Sequence, residues 1–171
     1  HEQAVRVPMI IYDANSNKVK TLSGLGSAPL DKKSIDLYYE MGIPAAGGIK
    51  AVPVPGAMHL FFTVLIEYGT MSFEKVVEPT LKILDRGTEN WYQKLANTLR
   101  KLVATEKSTA GNRKQKLKAA RDRFYIGDIA QELANYYEGN GGYLTLQDLK
   151  EHQTLIEDPV IVDYRGYTIL K

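Results

Sequence analysis

Between Ala57 and Tyr68 the only polar side chains are His59, Thr63 and Glu67, four residues apart in an otherwise apolar run. That spacing gathers the three on one narrow stripe of a helix and leaves the rest of its circumference apolar, so the segment must be enclosed by other parts of the chain. The longest apolar stretch, Ala57 to Ile66, which includes His59 and Thr63, is about half of the roughly 20 residues that cross a bilayer, so no membrane span is predicted.

The flanking sequence offers elements that can enclose it. Val5, Val7 and the run Met9 to Tyr12, then turn formers from Asp13 to Asn17, then Val19, Thr21 and Leu22 read as a β-hairpin. Gly24 to Pro29 holds too much Gly and Pro for a regular element and is expected to be a loop with a fixed path. Asp31 is placed to cap a helix with Ile35, Tyr38 and Tyr39 on one face, ended by Gly42. The segment from Gly42 to Gly48 then reads as loop. Ile49, Val52 and Val54, punctuated by Pro53 and Pro55, predict an extended connector.

Past the buried helix, Gly69 is expected as its left-handed stop. Ser72 is expected to cap a helix with Phe73, Val76, Val77, Leu81 and Leu84, kinked or broken at Pro79. Leu95, Leu99 and Leu102 continue in helical register, as do Ala119 and Phe124 after a polar interval. Asp128 with Gln131 suggests a capping box ahead of a helix with Ile129, Leu133, Tyr136 and Tyr137 on one face, ended by the glycines from 139 to 142. Thr145 with Asp148 suggests a further cap before a short helix through His152, and Val160 to Leu170 reads as a terminal hairpin turning at Arg165 and Gly166.

With 171 residues, one domain is expected, since about 150 residues already bury about two-thirds of the unfolded surface. A net charge of +2 is too small for the field that binding a nucleic acid or an anionic membrane requires. The basic interval from Lys107 to Arg123 reads as a solvated helix face. The chain has no cysteine, which removes disulfides, thiolate metal sites and a thiol nucleophile from this segment. His1, His59 and His152 are not in metal-ligand spacing, and His59 is expected to serve as a buried hydrogen-bonding group. Gly24-Leu-Gly-Ser-Ala28 lacks the third glycine of a dinucleotide fingerprint, and no Gly-Lys-Ser/Thr follows the glycines near 140. No catalytic residue, metal ligand or cofactor site is assigned in this chain.

Several segments, in order, resemble the large subunit of the gamma-glutamyltranspeptidase family of N-terminal nucleophile hydrolases. They are Met9-Ile-Ile-Tyr-Asp-Ala14, Gly24-Leu-Gly-Ser-Ala-Pro29, Val52-Pro-Val-Pro-Gly56 and Glu67-Tyr-Gly-Thr-Met-Ser-Phe73. Val77-Glu-Pro79, Leu95-Ala-Asn-Thr-Leu99, Phe124-Tyr-Ile-Gly-Asp-Ile-Ala130, Gly141-Gly-Tyr-Leu-Thr-Leu-Gln-Asp-Leu149 and Tyr164-Arg-Gly-Tyr167 extend the resemblance over nearly the whole chain.

The resemblance implies an α+β class: part of an αββα sandwich, this chain mostly helical with strand hairpins near both ends. It implies an autoprocessed, heterodimeric amide hydrolase or acyltransferase made as a zymogen, acting on a gamma-glutamyl or other acyl amide or peptide. The nucleophile would be a Thr at the start of a small partner chain from the same precursor, with its own α-amino group as base. Gly24, Leu25, Gly26 and Ser27 would then line the substrate. A periplasmic or extracellular location is implied by the family; the residues themselves leave the compartment open, the cytoplasm included. The competing reading is a non-catalytic scaffold that kept the family fold.

Two departures stand out. In the transpeptidases the loop matching residues 24 to 29 carries an Arg that pairs with the α-carboxylate of the glutamyl group, and Leu25 stands in that slot. An apolar residue there suits a less charged acyl group, as in acylase-like relatives. The family also has more chain between Gly87 and Leu95, and Gly-rich sequence where this chain has Val5-Arg-Val-Pro8.

Overall fold

The computed structural model describes residues 7–44 and 47–171. His1, the hairpin start at Val5 and Arg6, and Ala45 and Ala46 of the loop after Gly42 lie outside the described residues. The N-terminal hairpin pairs β1 (Pro8–Asp13) with β2 (Lys18–Ser23), from Pro8 opposite Ser23 to Asp13 opposite Lys18. Asn17 takes the left-handed conformation (φ 53°) that closes the turn. At the other end, β4 (Ile161–Tyr164) and β5 (Tyr167–Leu170) form the second hairpin, with Arg165 and Gly166 both at positive φ.

Among the described residues, seven α-helices run between the hairpins: α1 (Lys32–Met41), α2 (Gly56–Glu67), α3 (Phe73–Leu84), α4 (Asn90–Ser108), α5 (Arg113–Tyr125), α6 (Asp128–Gly139) and α7 (Leu146–Glu151). The apolar helix α2 is enclosed as its composition requires: α5 packs on it and also on α4, α6 and α7, while α3 packs on α4. Phe62 and Phe73 stack at 4.6 Å in the core, beside Ile66, Leu102, Leu117 and Leu149.

The ends of α2 and α3 are satisfied by charged side chains from distant helices. Arg113 donates to the carbonyls of Leu65 (2.8 Å), Met71 (3.3 Å) and Ile66 (3.4 Å), placing a cation at the C-terminus of α2. Glu106, 4% exposed, accepts the N–H groups of Phe73 (2.8 Å) and Glu74 (3.0 Å) at the N-terminus of α3. The basic interval is therefore only partly a solvated face. Besides Arg113, it supplies Arg123 to the Asp128 carboxylate (2.7 Å) and Lys107 to Glu74 (3.1 Å).

Several local expectations are corrected. A third strand, β3 (Leu155–Glu157), adds antiparallel to β2, with Leu22 opposite Ile156, and so ties the late chain to the first hairpin. Gly69 is not left-handed: a Cβ there would sit 2.8 Å from the Leu65 carbonyl oxygen, so close packing on α2 is what calls for glycine. Helix α3 runs unbroken through Pro79. Asp128 is the first residue of α6 behind Gly127, with its carboxylate taken by Arg123, and Gln131 bonds Asn135 instead of closing a box. Capping boxes stand at Asn112 with Gln115 and, as expected, at Thr145 with Asp148.

Residues 49–51 form a 3-10 turn in place of the start of an extended connector. Tyr39 is 88% exposed, away from the inner side of α1 where Ser34 is buried. Taken with the 3-10 turn, Ile49–Glu67 is long and apolar enough on length and composition to cross a bilayer, with mean hydropathy 1.6. The expectation from Ala57 to Ile66 alone undercounted it. Here Pro53 and Pro55 interrupt the stretch, and Leu60, Phe62 and Ile66 of α2 are buried.

Candidate functional site

The loop after β2 is held against the N-terminus of α2 by glycines on both sides. A Cβ on Gly26 would lie 1.9 Å from the carbonyl oxygen of Val54, and one on Gly56 would lie 2.6 Å from that of Gly24. Only bare backbone fits, and the two segments are tied by the Val54 N–H donating to the Ser27 carbonyl at 3.0 Å. The Gly24 N–H donates to Val7 at 2.9 Å. Leu25, between these contacts, is 50% exposed, so about half of its surface is open to solvent.

Helix α7 clamps the far half of the loop. Asp148 and His152, four residues apart, lie on one side of it. One oxygen of the buried Asp148 carboxylate accepts the Leu30 N–H (2.7 Å), and the other accepts from the N–H and hydroxyl of Thr145 (2.7 Å each). His152, only 6% exposed, places Nδ1 3.0 Å from the hydroxyl of exposed Ser27.

Behind Ser27 lies a buried aromatic cluster. The ring of His152 is 5.5 Å from that of His59 and 5.9 Å from that of Tyr125, and His59 is 5.2 Å from Tyr125. The Thr154 N–H, which can only donate, meets His59 Nδ1 at 3.1 Å, so the ring proton of His59 sits on Nε2. Burial first, then the charge of Arg121, lowers the His59 pKa to about 4, and burial lowers that of His152. Both rings are therefore neutral near pH 7. Burial raises the Tyr125 phenol well above its ordinary value, so it remains protonated.

The predicted residues Gly24, Leu25, Gly26 and Ser27 thus share one fixed loop, and His59 takes the hydrogen-bonding role expected of it. His152 was not singled out, since Ser27 and His152 are 125 residues apart and the sequence carries no local sign of their meeting. Among the described residues, no three His, Asp or Glu side chains gather as metal ligands. A cavity of about 310 Å³ lies elsewhere, lined by residues that include Ser72, Glu106, Arg113 and Lys116, and shares no residue with the loop.

The gamma-glutamyltranspeptidase family model matches residues 7–101 and 90–171. The glutathione hydrolase-like YwrD proenzyme of Bacillus subtilis (strain 168) is 29% identical over 94% of this chain and 35% of its own length. Among solved structures, the gamma-glutamyltranspeptidase from Pseudomonas nitroreducens complexed with L-DON aligns with TM-score 0.70 at 19% identity, covering 98% of this chain and 56% of that one. The cephalosporin acylase from Bacillus halodurans aligns at 0.67 and 22%, over 94% and 36%. The chain spans about a third of the length of the curated relatives it matches. Its α+β arrangement, helical with hairpins at both ends, is that of this group of folds.

Proposed function

Because the chain belongs to the gamma-glutamyltranspeptidase family, we propose that it is the large-chain part, one folding unit over residues 1–171, of an autoprocessed amide hydrolase. A second chain cut from the same precursor carries the nucleophilic Thr. The loop from Gly24 to Ser27 forms one wall of the acyl pocket, and Leu25 turns that wall toward an uncharged acyl group. A carboxylate closed in beside Leu25 would lose its hydration without gaining a cation.

One observation carries this reading: both strand systems leave large apolar side chains uncovered. Val160 is 67% exposed, Tyr167 75% and Ile10 52%, alongside Leu155 and Ile161. Apolar side chains left exposed on and beside strands fit a sheet completed by further chain. The relatives' description as proenzymes agrees with it.

The reaction would be acyl transfer. The Thr hydroxyl oxygen adds to the amide carbonyl carbon, its proton passes through the α-amine to the leaving amine, and water then releases the acid. The residues of this chain bind and orient the acyl part. The test is amine release by the purified, fully assembled protein from matched gamma-glutamyl and uncharged acyl anilides. Faster turnover of the uncharged anilide supports the reading; release from neither overturns it in favour of a non-catalytic scaffold.

A further inference from the structure

The contact between His152 and Ser27 has a direction, and the buried surroundings of His152 set it. Nδ1 faces the Ser27 hydroxyl at 3.0 Å, while Nε2 is buried without a hydrogen-bond partner among the described residues. A neutral imidazole carries one proton. If that proton were on Nε2, a buried N–H would be stranded; if it is on Nδ1, only a lone pair is stranded and the N–H is used. Unpaired buried N–H groups are rarer and costlier than under-used acceptors. His152 therefore donates from Nδ1, and Ser27 Oγ accepts.

That assignment leaves the proton of the Ser27 hydroxyl uncommitted. Ser27 is exposed, yet its backbone is held in place: its carbonyl accepts from Val54 and its neighbour Gly26 lies against the Val54 carbonyl oxygen. The ring behind it is equally fixed, since His152 closes α7, whose Asp148 holds Leu30. His59, edge-on to His152, is anchored by Thr154 in the opposite tautomer.

We propose that His152 is a positioning residue that holds Ser27 as an acceptor, so that the Ser27 hydroxyl donates to a neutral oxygen, a carbonyl, on the bound acyl group. This deepens the reading of the loop as an acyl-pocket wall and rests on it. It places a neutral donor beside Leu25, two residues from the slot where the transpeptidases use a cation, and so selects acyl groups that carry a neutral acceptor.

Two measurements on the assembled protein test it. In the first, Ser27→Ala and His152→Phe each raise KM for an acyl amide bearing a carbonyl by about three- to tenfold with kcat nearly kept, the range a single neutral hydrogen bond gives. The double variant is no worse than either single one, and His152→Asn, whose amide N–H can replace Nδ1–H, recovers most of the loss. Additive effects, or a His152→Phe variant that folds and keeps its KM, overturn the proposal. In the second, imidazole 15N shifts of histidine-labelled protein, assigned through the His152→Asn variant, show His152 protonated at Nδ1. Protonation at Nε2 overturns the proposal whether or not the protein turns over any amide, so its failure is told apart from failure of the enzymatic reading.

Discussion

The Tyr125 hydroxyl lies 2.8 Å from the backbone nitrogen of His59, accepts its N–H and donates to the carbonyl of Pro55, four residues before His59. A side chain from α5 thus bridges the positions that the first turn of α2 would otherwise join directly. Tyr125→Phe leaves a buried N–H and carbonyl to find each other or go unpaired. The expected loss is about 1–3 kcal/mol in urea unfolding of the assembled protein. A change within a few tenths would mean the helix closes that turn unaided.

Acid is expected to weaken the protein before its carboxylates titrate. His59 is held at about 4 in the fold, against 6.5 for an ordinary His, and His152 is lowered in the same direction. The unfolded chain therefore binds more protons between these values. The stability is fully present above pH 6.5 and is lost as pH falls toward 4. His59 alone should cost about 2–3 kcal/mol between pH 7.5 and 4.5. Asp128, which Arg123 holds at about 2, adds its loss only below that window. Urea midpoints across this range, compared with His59→Asn, provide the check: the variant should show a flatter profile.

Glu106→Ala strips the N-terminus of α3 of its buried acceptor for Phe73 and Glu74. About 2–3 kcal/mol is expected from losing charge-assisted bonds, with Glu106→Gln recovering part through its one remaining acceptor oxygen. Thermal melts of the two variants give the comparison. Equal melting temperatures would show that Ser72, the other cap of this helix, suffices.

What could be read in the sequence was local. The α2 stripe, the turn at Arg165 and Gly166, and the caps at Asp31, Ser72 and Thr145 announce themselves within a few residues, and each element formed where expected. The third strand did not, because Leu155 to Glu157 is three exposed residues with no alternation, paired only through the distant β2. Asp128 misled because the competing partner of its carboxylate, Arg123, sits on the preceding helix. The same limit applies to the site. Gly and Pro density marked the loop from Gly24 to Pro29, but His152 and Asp148, its clamps, are joined to it only by the packing of α7.

At the loop itself, Leu25→Arg is expected to leave stability within about 0.5 kcal/mol, since residue 25 is half-exposed. It should raise kcat/KM for gamma-glutamyl amides relative to uncharged ones by about tenfold or more, through a charge-assisted bidentate pair. Unchanged relative specificity would place the acyl group away from this wall.

The composition of the mature protein, read by intact-mass measurement and N-terminal sequencing after expression from the complete gene, is the deciding measurement. Two tightly associated chains are expected, the larger containing these residues and the smaller beginning with Thr. A single uncut polypeptide, or a second chain beginning with a residue that has no nucleophilic side chain, would contradict the proposed function.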